Sequence, residues 1–220
     1  MTRTPGQIER GSMEIIRAEL LAKGLVLPQE NEAVILRCIH ASADFDYAET
    51  LRFTPGAVKK AVETLRGGRD IVTDTNMALA GISRPGLQRL GGSAYCYMAE
   101  SRIAERAKTE GTTRASAAMD HAAEQNPGAI LAIGNAPTAL FRIAEKMEEG
   151  LRPALVIAVP VGFVNVVESK EAVFAACEAK GVPCIAAMGR KGGSSIAAAI
   201  CNALIYTAAE MLDPAARGWN

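Results

Sequence analysis

Only two residues of this sequence, His40 and His121, carry an imidazole, so the search for a side chain that exchanges protons near neutral pH is short. His40 stands in Arg37-Cys38-Ile39-His40-Ala41-Ser42, near the C-terminal end of an expected helix. Helix carbonyl ends favour a charged imidazolium, a suitable state for a general acid. The plainer reading of the same residue is a histidine that merely caps carbonyls, and composition alone favours it. His121, in Met119-Asp120-His121-Ala122, falls in mid-helix and reads as a solvated or partly buried residue. Asp44, Asp46 and Glu49 follow His40 and could orient its ring, although a solvated acidic loop is the default.

Three glycine-bearing loops offer a different chemistry. They are Gly134-Asn135-Ala136-Pro137-Thr138, Pro160-Val161-Gly162-Phe163-Val164-Asn165, and Gly189-Arg190-Lys191-Gly192-Gly193-Ser194-Ser195. Each joins a short apolar run to a helix start, where free backbone N–H groups and the helix dipole favour anions. One such loop is weak evidence. Three on one sheet edge point to a ligand rich in anionic groups. The dinucleotide fingerprint G-x-G-x-x-G, the phosphate loop G-x-x-x-x-G-K-[ST], the nucleophile elbow G-x-S-x-G and metal-spaced clusters are all absent. That leaves chemistry needing only positioning and one proton donor or acceptor.

The elements that must hold these residues can be read from the pattern. Five runs read as buried parallel strands: Asp70-Ile71-Val72-Thr73, Ala94 to Met98, Ala129 to Ile133, Ala154 to Val159, and Pro183 to Ala187. Helical patterns separate them, so the expected fold is α/β, a three-layer α/β/α arrangement around a mostly parallel five-stranded sheet. Ser12 is expected to cap a helix running to about Ala22, Pro28 to open a helix through His40, and Thr54-Pro55 to open one ending at Gly67-Gly68. Thr113 should cap Arg114 to Gln125, Pro137 should start a helix ending near Gly150, and the glycines before Ser194 should open a last helix to about Met211. Asp213 to Asn220 is expected to fray.

With 220 residues the chain suits a single domain, residues 1–220, and 49% hydrophobic content supplies a large core. The 24 basic and 24 acidic side chains balance, which removes the electrostatic case for nucleic-acid binding. The longest apolar run, Ala154 to Val164, is too short to span a membrane, and no signal peptide is visible. Five isolated cysteines fit a reduced, cytoplasmic setting.

Taken together, Ala132-Ile133-Gly134-Asn135-Ala136-Pro137-Thr138-Ala139-Leu140-Phe141, Pro160 to Val164 with Glu168-Ser169-Lys170, Gly189-Arg190 with Gly192-Gly193-Ser194, and Ile15 to Glu19 resemble the precorrin-8X methylmutase (cobalt-precorrin-8 methylmutase) family. The matches run in order from about Ile8 to Leu204. The resemblance implies a homodimeric isomerase of cobalamin biosynthesis with no cofactor and no bound metal, acting on a corrinoid tetrapyrrole rich in acetate and propionate groups. It implies a methyl shift from C-11 to C-12 that gives hydrogenobyrinate or cobyrinate, with His40 as the acid. Substrate contacts are implied at Ser12, Thr113, Arg114, Gly134, Asn135, Ala136, Gly162, Phe163, Arg190, Gly192, Gly193 and Ser194. Val161, Phe163 and Leu140 are candidate apolar walls, although core packing explains each equally well. Ser42-Ala43 departs from the Cys-Gly or Thr-Gly that the resemblance implies after His40-Ala41, which puts the local backbone in question. Two rival readings remain open: a nucleotide-binding α/β enzyme, and a corrinoid carrier without catalysis.

Overall fold

Alternation of side chains on short buried strands builds the molecule. The structure, a computed structural model, describes residues 3–219. Its strands are β1 (Leu51–Phe53), β2 (Ile71–Thr73), β3 (Ala94–Tyr95), β4 (Ile130–Ile133), β5 (Leu155–Ala158) and β6 (Cys184–Ala187), in spatial order β1-β6-β5-β4-β2-β3. On these strands Ile71, Ile130, Ala132, Leu155, Ile157, Ile185 and Ala187 pack into one core. Their neighbours Val72, Leu131, Ile133, Val156, Ala158, Cys184 and Ala186 pack into the other. Period-two alternation with both faces covered is what a central parallel sheet requires.

The helices divide accordingly. One layer contains α1 (Pro5–Ala22), α2 (Glu32–Ser42), α4 (Ala57–Arg66), α5 (Asn76–Gly81), α6 (Arg84–Arg89) and α11 (Ser194–Ala208). The other contains α7 (Ser101–Thr109), α8 (Arg114–Gln125), α9 (Pro137–Glu148) and α10 (Val166–Lys180). A single turn, α3 (Tyr47–Thr50), leads into β1. Among the described residues no helix is long and apolar enough to cross a membrane.

The five expected strands are all present and mutually parallel, and the three-layer fold stands. The sheet has a sixth strand, β1, which pairs antiparallel with β6 at the edge. Several element ends also differ. Thr4, not Ser12, caps α1, through a capping box with Gln7, and this places Ser12 in mid-helix. Pro28 lies in a turn before α2 rather than at its start. Thr54 does not cap α4, because its hydroxyl accepts the Cys184 N–H of the neighbouring strand at 2.8 Å. The last helix ends at Ala208, short of Met211.

The segment expected to fray is instead docked, with Asn220 outside the described residues. Pro214–Arg217 forms a 3-10 turn, and the Arg217 guanidinium reaches Glu9 of α1 at 2.8 Å. The expected caps at Thr113 and the start at Pro137 match the structure.

Candidate functional site

Because β4, β5 and β6 run parallel, the three glycine loops leave the sheet from the same edge, as does the Asp74-Thr75 turn after β2. β1 enters the sheet there too, since it is antiparallel: Leu51 pairs with Ala187, and the Met188 N–H donates to the Thr50 carbonyl at 2.9 Å.

The Gly134 loop is organised from below by a buried carboxylate. Asp74 accepts the N–H groups of Gly134, Asn135 and Ala136 at 2.8, 2.9 and 2.7 Å. Burial pushes its carboxyl up, and those three N–H groups pull the other way. The anion expected from the ligand at these backbone groups is thus supplied by the protein itself, which corrects the expectation that Gly134, Asn135 and Ala136 offer free N–H groups. The Asn135 side chain remains exposed beside them.

Next to Asp74, the Thr75 and Ser194 hydroxyls share a hydrogen bond of 2.8 Å, which joins the β2 turn to the start of α11. The Gly193 N–H donates to Val159 at 2.8 Å and the Gly162 N–H to Arg190 at 3.3 Å, so the loops after β5 and β6 form one unit. Gly192 packs so closely that an added Cβ would stand 2.2 Å from the Val159 carbonyl oxygen. Loop packing by itself therefore requires glycine at this position.

Lys170 completes this unit from beneath. Its side chain is fully buried, and its ammonium donates to the carbonyls of Gly189 and Lys191, both at 2.8 Å. Desolvation lowers its pKa to about 8. The sequence offers Lys170 only as part of Glu168-Ser169-Lys170, with no role of its own. Its position in Glu168-Ser169-Lys170 was the available signal, because a lysine on the inward face of a helix needs partners.

On the other side of the Gly134 loop, the Thr113 hydroxyl caps α8 by accepting the Ser116 N–H at 3.1 Å. It also donates to the Thr138 hydroxyl at 3.0 Å at the start of α9. Arg114 follows, exposed and with no carboxylate partner among the described residues. A cleft of about 680 Å³ opens here, lined by Thr113, Ser116, Thr138, Phe141 and Arg142.

Arg190 is likewise exposed, and its guanidinium lies 5.5 Å from the centre of the Phe163 ring. Phe163 is 82% exposed, Val164 77% and Val161 50%, an apolar rim beside the cations. Leu140 is fully buried in the core and forms no wall.

His40 stands apart from this network. It is exposed near the end of α2 and makes no hydrogen bond among the described residues. Partial burial lowers its pKa first, and the nearby Arg37 and Arg217 lower it further, against a smaller pull upward from Glu9. Position at a helix C-terminus does not win. The chain then turns through Ala43, which adopts the left-handed conformation (φ 55°, ψ 24°) and whose N–H donates to Ile39 at 2.7 Å. The turn keeps the geometry of a glycine without the glycine.

Asp44 and Asp46 do not orient the imidazole. They hold Lys191 of the β6 loop at 2.6 and 2.5 Å, which ties the end of α2 to the glycine loops. Ser12 joins neither group, and its hydroxyl donates to the Ile8 carbonyl at 2.9 Å within α1. His121 is buried, not solvated; its ring meets Tyr97 edge-on at 4.7 Å, and its Nε2 has no hydrogen-bond partner among the described residues.

The assembled edge therefore presents two guanidiniums, Arg114 and Arg190, with no carboxylate partner among the described residues, together with an exposed amide and an apolar rim; His40 lies off this network, at the end of the helix that Asp44 and Asp46 follow. This suits a large, partly apolar, multiply anionic ligand.

Residues 7–207 match the family described as precorrin-8X methylmutase. The chain is 45% identical to the cobalt-precorrin-8 methylmutase of Salmonella typhimurium over 177 residues, 80% of this chain and 81% of that one. It is 39% identical to the precorrin-8X methylmutase of Pseudomonas aeruginosa over 198 residues, 90% and 93% of the two chains. Its fold superposes on a precorrin-8X methyl mutase from Thermus thermophilus with a TM-score of 0.83 and 38% identity, covering 92% of this chain and 98% of that one.

Proposed function

From the premise that the chain belongs to the precorrin-8X methylmutase family, a family of isomerases, we propose that it moves a methyl group from C-11 to C-12 of precorrin-8X or cobalt-precorrin-8. The product is hydrogenobyrinate, or cobyrinate when cobalt is already in the ring. The observation that carries this reading is the breadth of the family match, residues 7–207, which takes in all of the strand-end loops.

The migrating methyl comes from the substrate itself, so the step needs no donor and no nucleophile on the protein. His40 acts as the acid: its N–H protonates or hydrogen-bonds the macrocycle near the migrating centre and polarises the conjugated system. One such group typically contributes a factor of about 100 to 10,000. Arg114 and Arg190 receive peripheral carboxylates, with Asn135 and Ser194 as further polar contacts and Phe163 against the ring plane.

The working form is a cytoplasmic homodimer of single-domain subunits. Exposed apolar residues at Val161, Phe163 and Val164 support the dimer, because a rim of that kind marks a surface covered by ligand or partner.

The test is conversion followed by absorption spectroscopy with both the metal-free and the cobalt-containing substrate. Wild type and His121→Ala should rearrange the macrocycle, while His40→Ala should bind without rearranging it. Binding without conversion by wild type would leave only a carrier. Near-normal turnover by His40→Ala would remove the histidine from the chemistry.

A further inference from the structure

Among the described residues, exposed large apolar side chains fall in two places. One group lies on α1, the chain just after it and the segment after α11. The other, Met77, Tyr95, Val161, Phe163 and Val164, lies at the sheet edge that carries the glycine loops. Single exposed apolar residues are ordinary on a protein surface, whereas a set gathered on one edge marks a surface that is covered. Val161, Phe163 and Val164 follow β5. Met77, 72% exposed, stands in the first turn of α5 after β2, and Tyr95, 38% exposed, ends β3.

Hydrogen bonds fix both residues to the middle of the edge. The Thr73 hydroxyl lies 3.0 Å from the Thr75 carbonyl oxygen and 3.3 Å from that of Tyr95, which joins β3 to the turn after β2. The Thr75 hydroxyl accepts the Ala78 N–H at 3.0 Å and meets the Ser194 hydroxyl at 2.8 Å, so the turn bearing Met77 is fastened to the start of α11. Behind it α5 packs closely: a Cβ on Gly81 would stand 2.7 Å from the Ala198 Cβ. The Tyr95 ring lies 6.1 Å from the buried Tyr97 ring and within 6° of parallel to it. Met77 and Tyr95 are thus exposed side chains on rigid supports.

Size decides what can cover both halves of this edge at once. In the order β5-β4-β2-β3, the Phe163 loop and the Met77 turn are two strand spacings apart, about 10 Å, and Tyr95 lies one spacing farther. A small ligand seated against Phe163 leaves Met77 and Tyr95 in water. A macrocycle of four linked rings with acetate and propionate arms reaches across. We propose that Met77 and Tyr95 form a second apolar wall for the macrocycle, across the β4 loop from Phe163, and that they determine specificity by selecting a ligand that spans the edge from β5 to β3. A thioether is polarisable and adaptable, which suits contact with an extended conjugated ring. This wall presupposes the corrinoid reading of the site.

The probe is hydrogenobyrinate, the metal-free product, titrated by its absorption, followed by steady-state rates on precorrin-8X. Wild type should bind it; no binding overturns the wall together with the corrinoid reading. Met77→Gln keeps the length of the side chain and makes its end polar. It should raise Kd and KM about tenfold, with kcat and melting temperature unchanged, because contact with an unreacting part of the ring is uniform binding. Met77→Leu restores an apolar surface and should lie near wild type, as should Val26→Gln, a control at an exposed apolar residue outside this edge. Tyr95→Ser should weaken binding, and Tyr95→Phe should not. Unchanged Kd in both Met77→Gln and Tyr95→Ser overturns the second wall, and a raised Kd in Phe163→Ser alongside them leaves the corrinoid site standing. Equal losses in Met77→Gln and Met77→Leu, or a fall in kcat at unchanged Kd, also overturn it.

Discussion

The Asp74 carboxylate accepts the Gly134 N–H at 2.8 Å, and the next two N–H groups of the same loop converge on its second oxygen. The loop that most resembles an anion site is thus filled from inside, and what it offers outward is a rigidly held Asn135. Asp74→Ala should strand three N–H groups in a buried place. At about 1 to 3 kcal/mol for each unmade bond, the loss of stability should be at least about 3 kcal/mol. Asp74→Asn keeps one acceptor oxygen and should lose less. Urea denaturation of both variants checks the order, and an equal loss in the two would mean that Asp74 is not bonding the loop as a carboxylate.

Lys170 makes the opposite kind of support, a buried ammonium held only by carbonyls. Its folded pKa, about 8, lies below its ordinary value of 10.5, so the folded state disfavours the charge. As pH rises through this window the unfolded chain holds more protons, and stability from this group rises. Lys170→Met removes the effect. Relative to that variant, wild type should gain on the order of 2 to 3 kcal/mol between pH 7 and pH 10.5. Chemical denaturation of both proteins at the two pH values measures it. The variant should also show a raised KM, because Arg190 and Lys191 lose their support, with little change in kcat.

Ala43 pays for a conformation that glycine adopts freely. Ala43→Gly should stabilise the fold by roughly 0.5 to 1 kcal/mol, since the left-handed strain is relieved and part of the gain is returned as unfolded-state entropy. A small rise in the melting temperature with unchanged turnover is the expected result. A fall would mean that the turn after His40 is held in that conformation by something other than its own backbone.

Arg114 faces solvent with no carboxylate partner among the described residues, so its removal should cost the fold little. A charge-assisted bond to a substrate carboxylate is worth about 1.5 to 3 kcal/mol, so Arg114→Ala should raise KM roughly 10- to 150-fold and leave kcat nearly unchanged. Unchanged KM with lost kcat would place this guanidinium in the chemistry.

Much of this arrangement was legible because it is local. Val- and Ile-rich runs between glycines and prolines announced the five parallel strands, and Thr113 and Pro137 announced their helices. Leu51-Arg52-Phe53 gave no such signal: three residues on an edge, half exposed, carry too little pattern to stand out between α3 and α4. The glycine loops could be found, but not what fills them. Asp74 lies 60 residues from Gly134, and Lys170 reaches Gly189 and Lys191 across a helix and a strand. Ser12 looked like a cap because the stronger one, Thr4 with Gln7, lay farther upstream. Arg217 looked like part of a loose end because its partner, Glu9, is at the other end of the sequence.

The pH dependence of turnover separates the free protein from its complex. In the free protein, burial and the charges of Arg37 and Arg217 hold His40 below the ordinary imidazole value of 6.5. If the protonated ring is the catalyst, kcat/KM must decline as pH rises through that lowered pKa, because kcat/KM reports the free enzyme. A corrinoid with many carboxylates brings negative potential, which favours the imidazolium. The limb in kcat, which reports the complex, should therefore lie at higher pH than the limb in kcat/KM. Raising the salt concentration should draw the two limbs together, because it screens the substrate's charges at an exposed site. Steady-state rates at low and high salt, with His121→Ala as the control, measure both limbs. Limbs that coincide at low salt, or that rise with pH instead of falling, would exclude a protonated His40 as the acid.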